Sequence, residues 1–267
     1  MKKVTISMVL YGSLPYTRQC LEQLFRKTPE DLYELFLFNN NSPDDTMKWL
    51  DDNKKNFPKD AKIYNSKVNK NFAGGNNYIA NHSDTEYILF LNNDTIPTDN
   101  WLEPLIKVLD ENPQIAAVGS KLVHPWDNTI QHAGVIFNGL LPIHKFFGES
   151  AETPAANEFS LVAAVTGASF LTRRELFLKY GGFDDNYKNG WEDPDLCMKF
   201  YEDDYKVAYE PKSVLYHYEG ISATRMLHDD ENREYFFKVW GKKLQEYSPK
   251  LIEEGYMYAG RLSPNIN

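Results

Sequence analysis

The sequence predicts an α/β protein built on a doubly wound, mostly parallel central sheet flanked by helices. Two observations predict it. Val4–Leu10, Glu34–Phe38, Ile63–Tyr64 and Ile88–Leu91 are short apolar runs, each followed by a polar loop and then helical spacing, with no hairpin signal between them. Each run also ends in polar residues, so one rim of the sheet becomes a polar cleft, where open parallel sheets bind ligands.

Composition narrows the class. A chain of 267 residues, 42% hydrophobic and 25% charged, is enough for one large α/β domain carrying a C-terminal extension. A formal charge of −9 argues against a nucleic-acid partner, which demands a basic face. A nucleotide is not excluded, because a metal ion and a few local cations can hold a diphosphate. Cys20 and Cys197 lie far apart, form neither a disulfide framework nor a zinc cluster, and read as reduced thiols of a cytoplasmic protein. The N-terminal MKKVTISMVLYG is too short and polar for a signal peptide, and no run approaches ~20 apolar residues. A membrane contact would therefore be peripheral, made from the surface.

After the first run, Gly12 and Pro15 break the strand, and Leu21, Leu24 and Phe25 share one face of a helix. The second run ends in Asn39-Asn40-Asn41-Ser42, and Asp44, Asp45 and Thr46 offer caps for a helix through Trp49 and Leu50. The third leads into Asn69–Asn77, where Gly74-Gly75 suits close approach to a phosphate or ribose, or tight packing at a helix start. It is neither a Walker loop nor a dinucleotide fingerprint.

The fourth run, Ile88–Leu91, ends at once in Asn92-Asn93-Asp94. A carboxylate there can take a hard divalent cation, which shares its shell with phosphates. The same residues also suit a plain turn. Beyond Ile115, Ala116–Gly119 reads as a strand, Ile130–Val135 as strand and turn, and Gly139–Asn157 as a long loop over the cleft. Thr166-Gly167-Ala168 interrupts the apolar Leu161–Leu171, either to admit a ligand against the backbone or for close packing.

A second acidic centre follows. Trp191-Glu192-Asp193-Pro194-Asp195 sets three carboxylates within four residues, with Asp193 a candidate N-cap before Pro194. A carboxylate so placed can also take a proton from a substrate hydroxyl. Lys206–Glu210 and Val214–Tyr216 read as edge strands around Pro211, delivering His217 at a strand end as Asp94 is delivered. Asn232–Tyr247 carries Tyr235, Phe236, Val239, Trp240 and Leu244 on a helical stripe, and Ser263–Asn267 is expected to fray.

The ordered set FNNNSPDDT, NKNFAGGNN, LNNDT, VGSKL, IQHAGV, VTGASFLTRRELF, GGFDD, WEDPDLCMKF and HYEGIS resembles the family 2 glycosyltransferases of GT-A fold. It is nearest the non-processive bacterial branch that builds surface glycans, rhamnosyltransferase-like members included. The resemblance spans roughly residues 4–225. It implies a glycosyltransferase domain over 1–225, with 1–110 binding nucleotide and 111–225 binding acceptor, and a helical extension over 226–267.

The resemblance further implies roles. Asp94 falls on the last residue of the family's DxD motif, with His217 a third metal ligand and Mn²⁺ or Mg²⁺ the metal. Asn92 stands at the motif's first position, usually Asp, and Asn93 between them. Asn39 stands where an Asp often reads the base. Leu10 and Tyr11 would border the base. Asn69, Phe72, Gly74, Gly75 and Asn77 would flank the nucleoside and phosphates of a UDP-, dTDP- or GDP-sugar. Asp193 matches the general base, with Glu192 beside it, and Gly167, Ala168, Trp191 and Asp195 near the sugar and acceptor. The implied reaction is inverting transfer to a hydroxyl of a glycan, lipid-linked or protein-bound acceptor. The competing readings are a sugar-1-phosphate nucleotidyltransferase, whose Gly-rich basic loop Tyr11–Tyr16 does not supply, and an inactive nucleotide- or glycan-binding module. Oligomeric state is not legible.

Overall fold

The structure, a computed structural model, describes residues 2–220 and 225–258. The expectations for Ile221 and Ser222 and for fraying at Ser263–Asn267 lie outside the described residues. In chain order the elements are β1 (Val4–Leu10), α1 (Leu14–Lys27), β2 (Tyr33–Asn39), α2 (Thr46–Asn53), β3 (Lys62–Asn65), α3 (Asn71–Asn81) and β4 (Tyr87–Leu91). Then come β5 (Thr95–Pro97), α4 (Leu102–Glu111), β6 (Ile115–Val123), β7 (Ile130–His132), β8 (Val135–Asn138), β9 (Leu141–His144), β10 (Ser160–Val162) and β11 (Ser169–Arg173). The chain finishes with α5 (Arg174–Lys179), α6 (Glu192–Glu202), β12 (Lys206–His217) and α7 (Asp229–Glu253).

The main sheet runs β10-β12-β6-β11-β4-β1-β2-β3, with β5 on β12 and β7 on β6. The first half, β4-β1-β2-β3, is parallel throughout, as the four strand–helix units predict. β11 then enters antiparallel between β4 and β6, and β12 returns parallel to β6. Central strands buried on both faces explain why β4 reads YILFL with every residue buried, rather than alternating. One apolar cluster packs α1 and α4 on one face, around Leu21, Leu24, Trp101 and Leu105. A second fills the other face around Phe38, Phe90, Phe170, Phe177 and Phe183. Burying each such aromatic contributes about 1.5–3 kcal/mol.

Three expectations are corrected. Lys206–Glu210 and Val214–Tyr216 are not a pair of edge strands but parts of one 12-residue strand, Lys206–His217, inside the sheet. A register shift between Glu210 and Val214 accommodates Pro211, which cannot donate to a ladder. Gly139–Asn157 is not a structureless loop. It holds β9, paired with β8, and a 3₁₀ turn at Pro154–Asn157, and buried Lys121 pins it by donating to the Ala151 carbonyl and to Asn157 Oδ1 at 2.8 Å. α7 is longer than its apolar stripe suggests. Phe236, Trp240 and Leu244 form a third core with Tyr187, Met198 and Tyr201, so the C-terminal helix shares a core with α6.

Candidate active site

The carboxyl ends of the strands open onto one cleft. β1 contributes Val9 and Tyr11, β4 contributes Asn92, Asn93 and Asp94, and β12 contributes His217. Thr166, Gly167 and Ala168 form one wall, and Asn189, Gly190, Glu192 and Asp193 come from the start of α6. Both acidic centres read from the sequence therefore face one space.

Asp94 and His217 meet because β5 doubles back along β12, pairing Thr95 with His217. His217 Nε2 stands 3.1 Å from Asp94 Oδ1, with both residues buried. The other ring nitrogen, Nδ1, donates to Gln131 Oε1 at 2.8 Å. Gln131 Oε1 is an acceptor there, which leaves Nε2 as the ring atom facing the carboxylate. Two acceptors at that spacing require a proton or a metal ion between them.

The described lining of the cleft carries three carboxylates, Asp94, Glu192 and Asp193. Among the described residues no group of three or more His, Cys, Asp or Glu side chains is arranged to hold a metal. The Asp94–His217 pair offers two donor atoms, a carboxylate oxygen and a ring nitrogen, of the kinds that hold divalent ions.

At the second centre, Asp193 Oδ2 accepts from the Gly167 amide at 2.8 Å, fixing the carboxylate across the cleft wall. Glu192 turns inward and accepts from the Gly190 amide at 2.6 Å. α6 begins at Glu192, so Asp193 lies inside the first turn and the expected N-cap is instead Trp191. Asn189 and Trp191 hold positive φ, 58° and 77°, beside Gly190. Non-glycine residues adopt that conformation at a cost of about 1–3 kcal/mol and keep it where the surroundings impose it. Here Asn189 Oδ1 accepts from the Phe72 amide at 2.9 Å, tying the α6 turn to the start of α3.

Of the residues assigned from sequence, Tyr11, Asn69, Phe72, Asn92, Asn93, Asp94, Gly167, Ala168, Glu192, Asp193 and His217 line the cleft. The others sit behind it. Leu10 is fully buried in the core. Asn39 is 2% exposed and donates to Asn65 Oδ1 at 3.0 Å while accepting from the Ser42 amide. A Cβ on Gly75 would meet Val9 Cγ2 at 2.7 Å, so this glycine serves packing of α3 on the sheet. One on Gly74 would meet Lys70 Cβ at 3.0 Å. Asn77 clamps the 181–185 turn, bonding the Phe183 carbonyl at 2.7 Å and its amide at 2.9 Å.

Trp191 and Asp195 face α7 rather than the cleft. The Trp191 indole donates to Asp229 at 2.8 Å. Asp195 accepts from Trp240 at 2.7 Å and pairs with Lys199 at 2.7 Å.

Several contributors carried no assignment in the sequence, Asn40 and Gln131 among them. Asn40 shapes the 69–71 loop, donating to Asn69 Oδ1 at 2.9 Å and accepting from the Lys70 amide at 2.7 Å. Gln131 sits within IQHAGV, a segment quoted for the resemblance but given no role. Its signal was only its adjacency to a strand end.

Comparison with known proteins decides the family. The family model described as Glycosyl transferase family 2 matches residues 5–181. The chain belongs to that family. Among curated relatives, the O-antigen biosynthesis protein RfbC of Myxococcus xanthus is 28% identical over 232 residues, 82% of this chain and 18% of that protein. The pre-mycofactocin glycosyltransferase of Mycobacterium tuberculosis is 28% identical over 135 residues, 50% of this chain and 27% of that protein. The chain therefore spans only a fraction of the curated relatives it matches. Among solved structures, GalNAc-T7 with UDP, GalNAc and Mn²⁺ superposes with a TM-score of 0.69 at 14% identity, covering 93% of this chain and 58% of that one. A Pyrobaculum calidifontis mannosyltransferase with GDP-Man and Mn²⁺ gives 0.67 at 18% identity, covering 95% and 69%. The fold is GT-A. No helix among the described residues is long and apolar enough to cross a membrane.

Proposed function

We propose that this family 2 glycosyltransferase is inverting and metal-assisted, moving a sugar from a nucleoside-diphosphate donor to a hydroxyl of a glycan, lipid-linked or protein-bound acceptor. One observation carries the reading: the Asp94–His217 pair and the Asp193 carboxylate line the same cleft.

In this reading Asp94 and His217 hold Mn²⁺ or Mg²⁺, whose chemistry when bound is to neutralise charge on the departing diphosphate. Tyr11, Asn69 and Phe72 border the nucleoside. Asp193, braced by the Gly167 amide, takes the proton of the acceptor hydroxyl. The oxygen then attacks the anomeric carbon on the face opposite the phosphate, and its configuration inverts. Glu192 and Gly190 hold the turn that carries the base.

Mn²⁺ with UDP and with GDP-mannose in the structural neighbours supports a metal and a nucleotide sugar, while leaving UDP, dTDP and GDP as candidates. The likeness to RfbC supports a surface-glycan acceptor and, with it, work on the cytoplasmic side of the membrane. Calorimetry of UDP, dTDP and GDP, with and without Mn²⁺, tests the donor half. One nucleotide should bind tightly only with metal, and Asp94→Ala should abolish that. Binding indifferent to metal and to Asp94→Ala would remove the proposed ion site. The anomeric configuration of product, read by NMR, tests inversion.

A further inference from the structure

Beside the cleft lies an aromatic surface that the proposed chemistry does not use. Trp126 and Phe147 are 61% and 60% exposed, among the most exposed large apolar side chains of the described residues. Both pack on one imidazole. The His124 ring stacks on Trp126 at 4.8 Å with a 23° interplanar angle, and meets Phe147 edge-on at 5.8 Å and 90°.

This surface is rigid. His124 Nδ1 bonds Thr129 Oγ1 at 2.9 Å, and the Asn128 amide closes a turn onto the His124 carbonyl. The turn bearing Phe147 is laced to the same strand, with the Gly148 amide donating to the Ile130 carbonyl at 2.8 Å and the Ile130 amide to the Glu149 carbonyl at 2.7 Å. It is also continuous with the site. His124 directly follows β6, whose last residue, Val123, pairs with Tyr216 beside His217. His124 Nε2 lies 3.7 Å from Glu219, the neighbour of the cleft-lining Gly220.

We infer that Trp126 and Phe147 form a saccharide subsite, on which a pyranose ring of the acceptor stacks beyond the sugar that receives the transferred unit. The inference rests on the transferase reading for its place in the reaction. A pyranose offers a face of C–H bonds to the electron-rich face of an indole, and a fixed ring costs little ordering entropy on binding. The rim chemistry selects a neutral polyol. Asp127 and Glu149 are exposed beside the two rings, so hydroxyls find acceptors there. The same carboxylates oppose an anionic lipid surface, which favours Lys and Arg.

The test uses the whole chain with Mn²⁺ and its nucleotide. The probes are glucose, galactose, mannose, N-acetylglucosamine and rhamnose oligosaccharides of one to four units. Their binding is read by tryptophan emission and saturation-transfer NMR. Oligosaccharides should bind with a blue shift, Trp126→Ala should weaken them about tenfold or more, and Trp126→Phe should keep most of the affinity. Phe147→Ala should weaken them less, and monosaccharide and nucleotide binding should not change.

Equal oligosaccharide binding by Trp126→Ala overturns the subsite. So does absence of oligosaccharide binding to a protein that still binds nucleotide. Trp126-dependent flotation with phosphatidylcholine–phosphatidylglycerol vesicles, or Trp126-dependent self-association in sedimentation, would assign the surface to a membrane or a second copy instead. Saccharide binding through Trp126 without any nucleotide binding would sink the transferase reading and leave the subsite standing.

Discussion

Asp94 Oδ1 and His217 Nε2 face each other at 3.1 Å across the junction of β5 and β12, and Gln131 holds the far nitrogen of the ring. On the proposed metal reading, Gln131 orients the imidazole without touching the ion. Outer partners of this kind typically change metal affinity by about 10- to 100-fold when removed. Gln131→Leu should therefore weaken Mn²⁺ binding to the nucleotide-bound protein by that order, while Gln131→Glu, which still accepts from Nδ1, should retain it. Titration of Mn²⁺ followed by its paramagnetic resonance signal checks both. Equal affinities for the leucine variant and the native protein would remove Gln131 from the site.

Asp193 separates chemistry from donor binding. Asp193→Asn keeps an acceptor for the Gly167 amide but cannot take a proton, so kcat should fall about 10²- to 10⁴-fold. Nucleotide affinity measured by calorimetry should stay within twofold. A parallel loss of nucleotide binding would mean that the side chain organises the donor site instead.

Two glycines should separate packing from catalysis. A Cβ at Gly75 would lie 2.7 Å from Val9 Cγ2 and 3.4 Å from Phe38 Cδ1, within the helix–sheet interface. Gly75→Ala should cost roughly 1–3 kcal/mol of stability in urea denaturation. A Cβ at Gly167 would lie 2.8 Å from Phe72 Cζ at the cleft wall. Gly167→Ala should chiefly raise the donor KM, because Phe72 must move away from the nucleoside it is proposed to border.

His132 predicts an acid-sensitive fold. Its ring is fully buried, and its pKa is held well below the usual histidine value by burial first, then by the charges His144 and His217 would carry. Its Nδ1 lies 2.9 Å from His144 Nδ1, so one ring donates and the other accepts. Below the unfolded value of about 6.5 the unfolded chain binds a proton that folded His132 refuses, so this contribution is complete above that pH and declines as pH falls. The loss approaches about 1.4 kcal/mol per pH unit for one proton. Urea denaturation from pH 7 to pH 5 should show that decline, and His132→Gln should flatten it. An unchanged slope in the variant would assign the acid sensitivity to other groups.

Much of the parallel half of the sheet was legible because its signals are local. Ile88–Leu91 ending in Asn92-Asn93-Asp94 announces a buried strand and its polar tip, and parallel strands put such tips on one rim. Asp193 was legible as a carboxylate at a helix start, though two residues further into the helix than Pro194 suggested. Illegible were outcomes that depend on which way a side chain turns. Asp195 and Trp191 share the acidic stretch with Asp193 but face α7, because a helix directs successive residues about 100° apart. Gly75 resembled a phosphate loop because sequence does not distinguish approach to a ligand from approach to Val9. Pro211 suggested an edge because the register shift that tolerates it depends on β6, some 90 residues away. Lys121 could not be foreseen as a buried anchor, since its partners lie 30 and 36 residues on.

The bond from Trp240 to Asp195 and the core shared by α6 and α7 bear on how this enzyme can be inherited. The family match ends at residue 181, before the helix that carries Asp193 and well before the helix that braces it. On the proposed reading, recombination that cut there would part the nucleotide-binding strands from the base, so a portable segment that keeps both runs through α7.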